Sequence, residues 1–305
     1  IEVAPVPASA AGPALRELLV GSEGALGVIT RATLRVRRLP PATRAQAWAF
    51  PCFAAGAEAF RALVQAGRAP TIARLSDEHE TRMTLAMEAS DSPAHHAGRL
   101  VLRAAAGRAP CLAILAWEGA PRAVRLRALA ALRTLRTHGA VPLGSKAGTR
   151  WRAGRFEGPY LRDALLDRGV LVETLETATT WSDLPALHAA VGDALRGALS
   201  DRGTPPLVAC HVSHLYATGA SLYFTAIARQ EPGAELEQWR LAKEAATEAI
   251  VVRRATITHH HAVGRDHAPW LEREIGATGL AALRAVKERL DPAGIMNPGK
   301  LLPAN

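Results

Sequence analysis

The chain has 305 residues, 49% apolar and 21% charged, so it is an ordinary globular composition able to bury a core, with a length that suggests roughly two domains. The net charge of +9 is carried almost wholly by arginine, with lysine only at Lys146, Lys243, Lys287 and Lys300; the arginines are scattered along helical segments and not gathered into a stripe with aromatics, so the charge does not argue for nucleic acid. Cys52, Cys111 and Cys210 are isolated and make neither a disulfide framework nor a metal clip, which points to a reducing, cytoplasmic compartment, and no apolar run reaches the about 20 residues that a membrane-spanning helix needs.

The chain begins Ile1-Glu2-Val3-Ala4-Pro5, without Met, and reads as a fragment whose targeting signals would lie out of view. Residues 13–20 suit a short helix. Gly21-Ser22-Glu23-Gly24-Ala25-Leu26-Gly27 is a glycine-punctuated turn, and the alternation from Val28 to Val36 predicts a strand that Pro40-Pro41 ends. Further strands are predicted at 47–50, 71–75, 111–117, 171–177, 207–214, 221–228 and 255–258. Helices are predicted at 57–66, 123–137, 160–167, 184–199, 236–251 and 278–290. Residues 90–110, rich in Ala, Gly and His, read as loop, and a hairpin is expected around Thr218-Gly219. Strands alternating with helices and also meeting in a hairpin indicate an α+β fold, a sheet covered by helices.

Thr258-His259-His260-His261-Ala262-Val263-Gly264-Arg265 is the densest chemical signal. In an extended segment His259 and His261 face one way and His260 the other. Three readings stand: a metal held by His259 and His261 with His211 or His214, a structural cluster, or an active-site strip that hydrogen-bonds a ligand oxygen. No carboxylate is placed by sequence to complete a metal site, so no metal is predicted. In the 21–27 turn, glycines let backbone amides approach a ligand such as a phosphate, although a plain tight turn before a strand has the same composition. Tyr216 falls near the end of a strand with His214 on its face by period two. A phenol titrates near 10, so a tyrosine acting as a base needs cations or donors beside it.

The first block, Gly21 to Thr30, and the last, Lys287 to Leu302, flank middle blocks at Phe156 to Asp163, Cys210 to Phe224 and His259 to Gly264, and together they resemble the FAD-linked oxidases of the vanillyl-alcohol oxidase/p-cresol methylhydroxylase type. The middle blocks resemble the alkyldihydroxyacetonephosphate synthase family. The resemblance covers nearly the whole chain. It implies the C-terminal end of a PCMH-type FAD-binding domain at 1–45, a cap domain with a mainly antiparallel sheet covered by helices at 46–258, and a segment returning to the flavin at 259–305. It also implies that the loop cradling the FAD pyrophosphate lies upstream of residue 1, so that this stretch alone holds FAD poorly.

By resemblance, Glu23, Gly24, Ala25, Leu26, Gly27, Val28 and Ile29 contact FAD, Tyr216 moves a proton on the substrate carbon, Arg162 binds the substrate phosphate, His259, His260 and His261 polarise oxygens near the flavin, and Arg74 matches an arginine important near the flavin. The implied reaction replaces the acyl group of acyl-dihydroxyacetone phosphate with a long-chain alcohol, with lipid and fatty alcohol as partners, and a homodimer and peripheral membrane contact as family expectations. A 2-hydroxy acid dehydrogenase of the same superfamily is the alternative. Those enzymes carry Glu-His-Gly where this chain has His260-His261-Ala262. The chain also departs from the transferase pattern at Ala217, where an acidic residue is common, and at Ala262, where glycine is usual. An inactive fragment is the third expectation.

Overall fold

The computed structural model describes residues 1–303 except 5, 7, 88–106, 108 and 157–160. It divides into two compact units, 39–255 and a second one formed by 1–38 with 256–305.

The 39–255 unit is built on a seven-stranded sheet in which every pairing is antiparallel. Its strands are β1 (Ala42–Phe50), β2 (Ile72–Ser76), β3 (Cys111–Gly119), β4 (Val141–Gly144), β5 (Val170–Thr180), β6 (Leu207–Leu215) and β7 (Gly219–Arg229), in spatial order β4-β1-β3-β2-β6-β7-β5. The period of two decides which face each side chain joins. Trp48 and Phe50, Ala73 and Leu75, Leu115 and Trp117, Val208 and Val212, and Leu222 and Phe224 all enter one core. Helices α2 (Phe53–Gln65), α4 (Pro121–Thr137), α7 (Leu184–Ser200) and α8 (Glu235–Val252) contribute to that same core. In α7 the buried residues Leu184, Leu187, Val191, Leu195 and Leu199 recur at three- and four-residue steps, which is one stripe of a helix. The alternate residues form the other face; on β1 and β3 it is apolar (Ala45, Ala47, Ala49, Ile114, Ala116), whereas on β2, β5, β6 and β7 it carries a polar patch of Arg74 and Ser76, Glu176, His211 and Ser213, Ser221 and Tyr223. Helices α3 (Glu78–Met87) and α5 (Ser145–Gly154) complete the unit with α6 (Leu161–Leu166). Helix α5 lies so close to β1 that a Cβ at Gly148 would meet the Gln46 nitrogen at 2.9 Å.

The second unit contains α1 (Leu15–Leu19), a single 3-10 turn (Ala268–Trp270) and α9 (Leu271–Leu290). Helix α9 kinks at Gly276, whose φ of 77° leaves the helical region.

The α+β class and the helix-covered antiparallel sheet expected from sequence are present. Two predicted strands are not. Residues 28–36 form no regular element and pair with no strand among the described residues, and Val28, Ile29, Leu34 and Val36 are all exposed; alternation makes a strand only where a neighbour supplies hydrogen bonds. Residues 255–258 are irregular because the Ile257 N–H and the Thr256 hydroxyl donate to the Glu274 carboxylate at 2.8 and 2.7 Å instead of joining a ladder. Helices α3 and α5 and strand β4 were not anticipated. The predicted loop at 90–110 lies, apart from 107, 109 and 110, outside the described residues. So do residues 157–160 of the block from Phe156 to Asp163.

Candidate active site

In the second unit the glycine turn and the histidine loop are joined by one side chain. Both oxygens of Glu23 accept backbone N–H groups, from Val263 at 2.7 Å and Gly264 at 2.8 Å. A carboxylate taking two amides is a strong, oriented clamp. The Glu23 side chain is thereby occupied in holding the loop that follows the three histidines. The C-terminal segment closes the arrangement. Lys287 donates to the carbonyls of Ala25 at 2.8 Å and Met296 at 2.7 Å and also pairs with Asp291, while Asn297 donates to the Glu23 carbonyl. Asp291 in turn accepts the amides of Ile295 and Met296.

Backbone strain concentrates in this arrangement. Among the described residues five non-glycine residues have positive φ, and Glu23, Ala262, Asn297 and Leu301 are four of them. Left-handed conformations in residues with a Cβ cluster at ligand sites because the surrounding contacts must over-determine them. The Ala262 φ of 71° also explains why glycine suits that position.

This geometry fits a flavin. A Cβ placed on Gly21 or Gly27 would meet nothing within 4 Å, so the turn presents open backbone. Val28 and Ile29 are exposed, as are His260 and His261. Ala25 and Leu26 are buried, and the Ala25 N–H and carbonyl are already taken by the Ser22 carbonyl and Lys287. His259 stands 3.1 Å from His260 between their Nδ1 atoms, and the rings of His260 and His261 meet edge to face.

In the 39–255 unit the polar sheet face assembles Arg74. Its guanidinium donates to Glu80 at 2.7 Å and to His211 Nε2 at 3.1 Å, and it lies 6.0 Å from the Trp151 ring centroid. Arginine only donates, so Nε2 accepts and the proton sits on Nδ1, which donates to Glu80 at 2.9 Å. His211 is therefore neutral. Burial first, and then the Arg74 charge, push its pKa below the ordinary 6.5 against the pull of Glu80. Burial raises the Glu80 carboxyl, but the charge of His211, which gains its proton before Glu80 does as pH falls, and that of Arg74, together with the hydrogen bonds, outweigh it and hold its pKa at about 2. Tyr223 stacks on His211 with centroids 4.8 Å apart. Beside it, Ser213 donates to Glu176 at 2.8 Å and lies 2.8 Å from Ser221.

Tyr216 lies just past β6, not within it. The β6–β7 register shifts between Val212 and Leu215, so strict alternation from His214 does not reach Tyr216. The turn is pinned by Trp181, whose indole N–H donates to the Tyr216 carbonyl at 3.0 Å and whose backbone N–H donates to Thr218 at 3.1 Å. The Tyr216 side chain is 46% exposed. Arg162 is exposed on α6, with Nε 3.4 Å from the Val172 carbonyl. Sequence reasoning missed Glu80, Trp151, Glu176, Ser213, Ser221 and Tyr223. Two signals pointed to some of them: Asp77 followed at three residues by Glu80 is a capping pattern, and the alternating His211 and Ser213 on β6 and Ser221, Tyr223 and Thr225 on β7 mark a polar patch.

The three cysteines are free. Burial pushes the Cys111 and Cys210 thiols well above their ordinary value, so neither is poised as a nucleophile. Among the described residues no helix is long and apolar enough to cross a membrane.

The family of FAD linked oxidases, C-terminal domain, matches residues 39–301, and the chain belongs to that family. It is 31% identical over 307 residues to the alkyldihydroxyacetonephosphate synthase of Trypanosoma brucei brucei, a match covering 98% of this chain and 50% of that protein. It is likewise 31% identical over 302 residues to the Dictyostelium discoideum protein of the same name, covering 97% and 49%. A solved structure of alkyldihydroxyacetonephosphate synthase superposes with a TM-score of 0.74 at 28% identity, covering 94% of this chain and 50% of that one. The chain thus spans about half the length of the curated relatives it matches.

Proposed function

We propose that the chain serves an FAD-dependent alkyl transfer of the alkyldihydroxyacetonephosphate synthase kind, exchanging the acyl group of an acyl-dihydroxyacetone phosphate for a long-chain alcohol. One observation carries the reading. The 31% identity to two proteins of that name runs over nearly the whole chain, so it takes in the Tyr216 hairpin, the Arg162 helix and the His259–His261 loop alike. In the net reaction the bond from the substrate carbon to the acyl oxygen breaks, the alcohol oxygen bonds to that carbon, and the alcohol proton leaves with the fatty acid. No electron acceptor is consumed. FAD, when bound, supplies a ring that carries the substrate carbon through the exchange.

The chain's own residues would divide the work. The backbone at Gly24 and Gly27 and the exposed Val28 and Ile29 would hold the cofactor, with the buried Ala25 and Leu26 shaping the turn beneath it. Glu23 would keep the histidine loop in register, and His259, His260 and His261 would donate to oxygens near the flavin. Tyr216 would move the proton on the substrate carbon, Arg162 would hold the phosphate, and Arg74, clamped by Glu80 and His211, would supply a fixed positive charge. A cytoplasmic setting, a homodimer and peripheral contact with a membrane surface, where long-chain substrates partition, complete the reading. Domain roles follow the same lines: residues 1–45 and 259–305 on the flavin side and 46–258 as the cap.

The test is an anaerobic incubation of the flavin-loaded protein with palmitoyl-dihydroxyacetone phosphate and hexadecanol, followed by mass spectrometry for the alkyl ether. Ether should form without an acceptor. Tyr216→Phe should reduce the rate by about 100-fold or more, as loss of an acid–base group does, and Arg162→Ala should raise the KM for the phosphate substrate. Flavin bleaching by lactate or glycolate with no ether formed would replace this reading with a hydroxy acid dehydrogenase.

A further inference from the structure

The turn after β6 forms one wall of an open pocket of about 280 Å³ that lies wholly within the 39–255 unit. Its lining combines the hydroxyl-bearing residues Thr179, Thr180, Tyr216 and Thr218 with Arg254. No carboxylate lines it. The wall is firmly built: Thr180 pairs with Gly219 across β5 and β7, and a Cβ on Gly219 would sit 1.9 Å from the Thr179 carbonyl. The Tyr216 backbone is fixed by the Trp181 indole and by its own hydrogen bond to the Gly219 carbonyl at 2.8 Å.

Arg254 is the unusual member. It is the fifth non-glycine residue with positive φ, at 54°, and the only one of the five in this unit. Glycine is the relaxed choice for such a conformation, yet the position carries a long cationic side chain. The preceding Arg253 is paired with Asp183, whereas among the described residues no carboxylate pairs with Arg254. A guanidinium beside hydroxyl donors, with no anion in the lining, is chemistry that recognises an oxyanion.

We infer that this pocket is an oxyanion subsite in which Arg254, with Tyr216 and the threonine hydroxyls, binds a carboxylate or a phosphate monoester. The subsite stands on the geometry of the pocket. That its physiological occupant is the released fatty carboxylate rests on the alkyl-exchange reading, in which Arg162 holds the substrate's phosphate.

The chain has three tyrosines, Tyr160, Tyr216 and Tyr223, so protein labelled with 3-fluorotyrosine gives a simple fluorine NMR spectrum that Tyr216→Phe assigns. Inorganic phosphate and octanoate are titrated separately, at ionic strength matched with sodium chloride. The Tyr216 resonance should shift saturably with at least one probe and not with chloride alone. Arg254→Gly, which suits the positive φ and leaves the fold intact, should weaken that binding at least tenfold, while Arg125→Ala, at an exposed position of α4, should leave it unchanged. A response to phosphate alone identifies a phosphate headgroup site, and a response to octanoate alone a carboxylate site. No saturable shift with either probe, or equal affinity in Arg254→Gly, overturns the inference. The titration needs neither flavin nor turnover, so a failed ether assay leaves it standing, and a successful one does not rescue it.

Discussion

Arg74, Glu80 and His211 show how a few contacts set charge on the polar sheet face. The Glu80 carboxyl is held at about 2, and His211 is held below 6.5 by burial and by Arg74. Both shifts are downward, so both have the same sign for stability. The unfolded chain binds the proton more readily in each case, and the folded state loses ground as pH falls. His211 begins to contribute as pH drops through 6.5, and Glu80 as it drops below 4.5 toward about 2. The expected result is a denaturant midpoint that is flat near neutrality and declines steadily on acidification. Glu80→Gln should flatten the part of the decline below pH 4.5. An unchanged acid profile in that variant would mean that Glu80 is not ionised by its neighbours.

At the scale of elements, the sheet has one apolar face and a second face with a polar patch on β2, β5, β6 and β7, and that division was half legible in the sequence. The apolar face was readable, because alternating large residues such as Trp48 and Phe50 or Leu222 and Phe224 mark strands directly. The polar face was harder to see, because Arg74, Glu80 and His211 meet across long sequence separations that no local pattern records. Helix α3 was missed for a related reason: its exposed composition hides the periodicity, and only the Asp77 cap, accepting the Glu80 N–H at 2.7 Å, announces it. The strand expected at 28–36 failed in the opposite direction, with good periodicity and no partner among the described residues. The hairpin at Thr218-Gly219 was legible, but the reason for glycine there was not. It permits the β5–β7 approach at the mouth of the Tyr216 turn. Gly219→Ala should therefore cost roughly 2–3 kcal/mol, the scale of overpacking a closed site, and should perturb Tyr216. Near wild-type stability in urea would show that the strand ends part freely.

At the scale of the whole molecule, the chain divides into a large unit with its own core and a smaller unit, poor in regular structure, organised around Glu23 and Lys287. The smaller unit is held by hydrogen bonds from side chain to backbone more than by strands or helices, and it carries most of the positive-φ residues. Segments of that kind are low in intrinsic stability and gain order from what they bind. A ligand that binds only the folded state stabilises it by about 2.7 kcal/mol at a hundredfold excess over its Kd. FAD supplied well above the weak Kd expected of this stretch should accordingly raise the melting temperature of the chain in a concentration-dependent way. The variant that isolates the contact is Val28→Asp. Val28 is 76% exposed, so in the absence of cofactor the change should fall within about 0.5 kcal/mol of the parent. With FAD present, a carboxylate placed at the turn should remove most of the shift, by charge repulsion with a pyrophosphate or by loss of apolar contact with the ring. A shift of equal size in Val28→Asp and parent would move the cofactor away from the 21–29 turn. A loss of stability without FAD would instead make Val28 a structural residue, against its exposure.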